Sequence, residues 1–160
     1  MIKICSARGG DVIKFAGDAL IVVWEGECEH GLAHRAAECA VELRDGLHNA
    51  QMAPSIQLGL KVGVGVGSFS LFSVCGYGGH WEYFAAGPAL KECFEAAELA
   101  RSGDAVISAA LWAEIATSSI GFELASGHYR LGTTSQLLHK RSIQSPRPGR
   151  SGGARKGIHR

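Results

Sequence analysis

Two short runs rich in apolar and β-branched residues, 12–16 and 19–24, stand either side of Gly17-Asp18 near the start of the chain. Runs of this length around a Gly-Asp dipeptide predict a β-hairpin with a two-residue turn. Its tip carries a carboxylate, Asp18. The runs are almost continuously apolar, which predicts that both strands lie in the middle of a sheet. The first eight residues read as the end of a helix leading into the hairpin. From residue 32 to 48 the period changes. Leu32, Ala36, Cys39, Ala40, Leu43 and Leu47 recur at three- and four-residue intervals, with Arg35, Glu38, Glu42 and Arg44 opposite, as in an amphipathic helix.

Pro54-Ser55 marks a loop over 49–57. In 58–66, continuing to 73, valines alternate with Gly63, Gly65 and Gly67 at strand period. Phosphate-cradling glycines sit between a strand and a helix, and no helix follows here, so the glycines predict a strand closely approached by a packed helix. A further strand is expected over 81–86. Gly87-Pro88 opens a helix over 89–101. A short strand over 105–108, a short helix over 109–116 and a last strand over 122–131 complete the order. This β-β-α-β-β-α-β-α-β order predicts an α+β domain with helices on one face of a largely antiparallel sheet.

Composition narrows the class. With 160 residues and 46% hydrophobic content the chain can bury one core. No apolar run approaches the ~20 residues that cross a bilayer, so no membrane partner is expected. The N-terminal residues lack the pattern of a secretory signal. The five cysteines, Cys5, Cys28, Cys39, Cys75 and Cys93, are scattered and odd in number, which suits reduced thiols and a cytoplasmic location. Seven of the sixteen Lys/Arg lie in 140–160, which has no acid; residues 1–139 therefore hold nine bases against fifteen acids, a net −6. Residues 132–160 read as a basic tail, separate from a domain over 1–131 and expected to be disordered. Its bases are not interleaved with aromatics, and no nucleic-acid partner is expected.

Three features could carry chemistry. Asp18 sits at a hairpin tip, although Asp is common in turns for backbone reasons alone. Lys14 is a cation on an otherwise apolar strand, where an unpaired charge would be costly to bury; a ligand, or Asp11, would be its partner. His30 and His34, four apart, lie near Cys28 and Glu38. They could begin a metal site, but nothing completes a ligand set, and a solvated helix edge is the simpler reading.

The string Gly-Gly-Asp-Val-Ile-Lys-Phe-Ala-Gly-Asp-Ala-Leu closely resembles the second-strand hairpin of class III nucleotidyl cyclases. Within them it is most similar to the first catalytic half of the bicarbonate-responsive soluble adenylyl cyclases. The resemblance covers residues 2–131. It is supported by Leu-Lys-Val-Gly-Val-Gly-Val-Gly-Ser-Phe-Ser at 60–70, Phe-Ala-Ala-Gly-Pro-Ala-Leu at 84–90 and Ala-Val-Ile-Ser at 105–108. A diguanylate cyclase is disfavoured, because Gly9-Gly10-Asp11 is followed by Val12-Ile13 where Glu-Phe would complete that signature.

The resemblance implies a ferredoxin-like nucleotidyl cyclase fold in which two halves pair around ATP. It implies Mg²⁺ or Mn²⁺ held by two aspartates of one half, of which Asp18 matches one. The other belongs to a strand upstream of the hairpin, so the first strand is expected to be missing and the chain to be N-terminally truncated. The residues by which a partner half selects the base and stabilises the transition state have their counterparts at Phe84, Lys91 and Glu95, none of which suits those roles. The chain thus reads as the metal-binding half of a soluble adenylate cyclase, with catalytic and metal residue Asp18, inactive without a second half. Lys14 is implied as a regulatory or ligand-binding residue, with bicarbonate as a ligand to consider, although Phe94 stands where a companion arginine is expected. The alternative is a non-catalytic cyclase-homology module that dimerises or regulates.

Overall fold

The computed structural model describes residues 1–26, 29–124 and 126–134, with the backbone alone at 29 and 30. The tail beyond 134 lies outside the described residues. Helix α1 (Ile2–Ala7) leads into the hairpin β1 (Asp11–Ala16) and β2 (Ala19–Val23), and the long helix α2 (Glu29–Leu47) follows. A small hairpin, β3 (Gln51–Ala53) and β4 (Ile56–Gln57), occupies the stretch expected to be a loop. Then come β5 (Val62–Val64), the ribbon of β6 (Ser70–Cys75) and β7 (Trp81–Ala86), and α3 (Pro88–Leu99). The described chain closes with β8 (Ala105–Ile107), α4 (Ala109–Ile115), β9 (Gly121–Glu123) and β10 (Tyr129–Leu131).

Four strands form the central sheet in the order β5-β8-β10-β9, with β5 parallel to β8 and the other pairs antiparallel. Adjacent residues on β5 and β8 face opposite ways, and this decides the layering. Val64, Ala105 and Ile107 face α2 and α4, packing with Ala36, Ala40, Leu111 and Ile115. On the other face Val106 meets Ala96 of α3 and Ala100 just past its end. Helices therefore cover both faces of this sheet, where the sequence suggested one. The alternating glycines explain the second layer: a Cβ at Gly63 would lie 2.4 Å from the Ala97 nitrogen, and one at Gly65 2.5 Å from the Cys93 nitrogen. The helix rests on bare backbone, as the glycine alternation predicted.

The β1–β2 hairpin is a separate two-stranded sheet, not the middle of a larger one. Helices cover one side of it: Leu20, Val22 and Trp24 pack on a core of Cys5, Cys39 and Leu43. Gly10 is buried where a Cβ would strike the Trp24 ring at 2.6 Å. The Trp24 indole N–H donates to the Arg8 carbonyl at 3.0 Å, and Arg8 reaches Glu38 and, at 2.8 Å, Glu42 on α2. The two sheets thus share α2 as a common support.

Two other expectations change. The strand expected over 58–73 breaks after Val64, where Gly67 adopts a φ of +141° and the chain turns into the ribbon. The strand expected over 122–131 is itself a hairpin, β9–β10, turning at Gly127 with a φ of +77°.

Candidate functional site

Asp18 occupies the second position of a two-residue turn between paired Ala16 and Ala19. Gly17 takes the left-handed conformation this tight reversal needs, with a φ of +63°. Asp18 is exposed, and its carboxylate has no hydrogen-bond or ion-pair partner among the described residues. It is a hard oxygen donor on a short stem, free to accept a cation.

Lys14 owes its position to an irregularity the sequence does not reveal. Val12 pairs with Val22, but Lys14 pairs with Ile21, so Ile13 is an extra residue on β1. Residues paired directly across a ladder share a face. Strict alternation from Val12 would have put Lys14 on the side of Val22, against the α1–α2 core. The bulge turns it to the other face, where it is exposed and unpaired; Asp11 is not its partner. The charge therefore pays no burial penalty.

Lys14 and Phe15 instead line an open groove of about 380 Å³ with Val12, Ile13, Trp81, Glu82 and Tyr83. The β7 residues were not singled out from the sequence. Their alternation, Trp81 and Tyr83 on one face of the strand and Glu82 on the other, was the available signal. Asp18 does not line this groove.

The β6–β7 ribbon has solvent on both sides: Leu71, Phe72, Val74, Trp81, Tyr83 and Phe84 are all exposed. Phe84, Lys91 and Glu95, the positions that the resemblance implied as counterparts of partner-half residues, lie in and beyond it. Phe84 stacks on Phe72 with centroids 4.9 Å apart, and Lys91 pairs with Glu95 at 3.2 Å on α3. An aromatic pair and an internal ion pair leave those positions occupied by their own neighbours. Phe94 is half-exposed on α3, and no second cation lines the groove with Lys14, so bicarbonate is not supported.

The residues present do not fit a complete two-metal centre. Among the described residues no three His, Cys, Asp or Glu side chains group as a metal cluster, and Asp18 alone supplies a carboxylate at the hairpin tip. The helical candidate fails as well. Glu38 is engaged by Arg8 and His34 Nε2 hydrogen-bonds Ser118, while Cys28 and the His30 side chain lie outside the described residues.

No known protein-family profile matches the chain. Adenylate cyclase type 10 of Homo sapiens is 26% identical over 106 residues, a match spanning 65% of this chain and 6% of that protein. The enzyme of the same name from Mus musculus is 28% identical over 107 residues, again 6% of its length. Among solved structures, the guanylate cyclase domain of RhGC from Catenaria anguillulae, in complex with GTP, superposes with a TM-score of 0.68 at 15% identity, covering 82% of this chain and 77% of that one. The adenylyl cyclase CyaB from P. aeruginosa gives 0.65 at 16%, covering 83% and 76%.

The chain has the class III nucleotidyl cyclase catalytic fold. The sequence similarity to adenylate cyclase type 10 agrees with it. Within this fold the α+β architecture, the largely antiparallel pairing and the Asp18 hairpin are as the resemblance implied, and α3 occupies the second face. No helix among the described residues is long and apolar enough to cross a membrane.

Proposed function

We propose that the chain is the metal-binding half of a soluble, cytoplasmic adenylate cyclase, forming cyclic AMP and pyrophosphate from ATP only when paired with a complementary half. The observation that carries this reading is Asp18, held unpaired and solvent-facing at the hairpin tip of a cyclase fold. It would give one ligand to Mg²⁺ or Mn²⁺; the remaining carboxylate must come from outside the described residues. A divalent ion at such a site neutralises triphosphate charge. The similarity to adenylate cyclase type 10 supports ATP, and the exposed apolar ribbon supports pairing, since an isolated two-stranded ribbon is marginal in water. In this reading residues 1–131 are the cyclase domain and 132–160 a separate basic tail.

A second reading, a cyclase-homology module that dimerises or regulates without turnover, is favoured by the Lys91–Glu95 pair and the lone carboxylate. One experiment separates them. The chain, extended upstream to include the strand expected to carry the second carboxylate, is mixed with a second cyclase half and assayed for Mn²⁺-dependent cyclic AMP, with Asp18→Asn alongside and Mn²⁺ binding followed by paramagnetic relaxation. The enzyme reading expects activity and Mn²⁺ binding that both fall at least tenfold in Asp18→Asn. Stable pairing without turnover or metal binding would establish the module instead.

A further inference from the structure

Cys5 and Cys39 lie outside everything assigned above. Cys5 is on α1 and Cys39 in the middle of α2, and both side chains are fully buried in one cluster with Leu43. With Leu43 they make up the buried cluster between α1 and α2. Burial first, and then the neighbouring Cys5 sulfur, push the Cys39 thiol up to about 12. The thiolate is the nucleophile, so with α1 seated the pair is unreactive.

What seats α1 is slight. It has six residues and no side-chain cap at its start, and Arg8 holds it through partly exposed ion pairs to Glu38 and Glu42. The amide of Gly10 closes its end on the Cys5 carbonyl at 2.9 Å. Exposed ion pairs contribute little, and short elements of this kind occupy the low end of local stability. Lifting of α1 would expose both sulfurs to solvent together.

We propose that Cys5 and Cys39 are a latent disulfide pair, oxidised by a hydroperoxide when α1 lifts, and that the bond then staples α1 to α2. Cys39 thiolate attacks one peroxide oxygen; the O–O bond breaks, an alcohol (water, from hydrogen peroxide) leaves, and Cys39 becomes a sulfenic acid. Cys5 thiolate then attacks that sulfur, the S–S bond forms and the sulfenic oxygen leaves as water. The two thiols give up two electrons and two protons, and the peroxide takes both. The bond would close a loop containing the whole β1–β2 hairpin, so redox state would set how freely the Asp18 turn moves on α2. This inference does not depend on the chain being an enzyme.

The test treats the full chain with hydrogen peroxide, with and without sub-denaturing urea, then blocks free thiols and maps the unreduced peptides. Exposed Cys75 serves as an internal clock. The expected result is a linked peptide joining Cys5 to Cys39, formed faster in urea. Tm should rise by several degrees and return on reduction. Cys5→Ala and Cys39→Ala should each abolish the link and the Tm shift while circular dichroism stays unchanged. Complete oxidation of Cys75 without the linked peptide, or a linked peptide with no change in Tm, would overturn the proposal. The wild-type mapping decides the matter even where a variant folds poorly.

Discussion

Replacing Gly63 with alanine probes the seating of α3 directly. The added Cβ would lie 2.4 Å from the backbone nitrogen of Ala97, 2.5 Å from the carbonyl oxygen of Cys93 and 2.6 Å from the Ala97 methyl. Comfortable contacts begin near 3.5 Å, so the helix must retreat by roughly 1 Å. Two of the three atoms are backbone, and no rotamer change relieves them. The retreat also loosens Ala96 and Ala100 on Val106, and stretches the bond the Cys93 thiol donates to the Gly63 carbonyl at 3.3 Å. Overpacking of this kind costs about 1–3 kcal/mol. The stiffer unfolded chain offsets about 0.4–1 kcal/mol of that. A net loss of about 1.3 kcal/mol, or a Tm lower by about 3–5 °C for a domain of this size, is expected in thermal and urea unfolding. Gly46→Ala is the matched control: it lies within α2 with open space around it, and should stabilise by up to about 1 kcal/mol. A Gly63→Ala melt within about 1 °C of wild type would refute the seating of α3 on bare glycine backbone.

Other substitutions test different contacts. Arg44 is buried, and its Nη1 and Nη2 donate to the carbonyls of Leu131 and Gly132 at 2.8 and 2.9 Å; Arg44→Met should cost about 3 kcal/mol by urea unfolding, since two buried acceptors lose their donor. Asp45 accepts from Arg44 Nε at 2.7 Å and from the Thr134 amide at 2.8 Å. Partial burial pushes its carboxyl up, but those hydrogen bonds outweigh it and hold the pKa below the ordinary value. A depressed carboxylate contributes stability above its unfolded pKa, about 4, and loses it as pH falls through the folded value. The stability gap between wild type and Asp45→Asn, present at neutral pH, should therefore shrink below about pH 4 in a series of melts; an unchanged gap at pH 2 would contradict it. Asp18→Asn should leave Tm within about 1 °C of wild type, because the side chain is exposed and unpartnered.

The parts legible in the sequence were those fixed by local chemistry. Gly17-Asp18 sets its own turn, and the alternation of valine and glycine in 62–65 needs a helix against the glycine side. Features set by distant contacts were hidden. The bulge at Ile13 leaves no mark in a run whose every other member is apolar, so Lys14 reads as facing the core when it faces solvent. Arg44 reads as the polar side of an amphipathic helix, yet it is buried because the chain leaving β10 presents two carbonyls to it. The hairpin strands read as central because their apolar surface is real; helices cover the side of Leu20 and Val22, while Phe15 on β1 stays exposed.

That last feature has a mechanical consequence. The β1–β2 hairpin is a cantilever, clamped at Leu20, Val22 and Trp24 by the helices beneath and carrying Asp18 at its free end. From Leu20 to the tip is two residues, or about 7 Å at strand rise. A tilt of about 10° at the clamp would swing the carboxylate by roughly 1.2 Å, the scale of misplacement that matters for holding reacting groups. A methylene gained or lost at Leu43 or Cys39, far from any ligand, would be read out as displacement at Asp18.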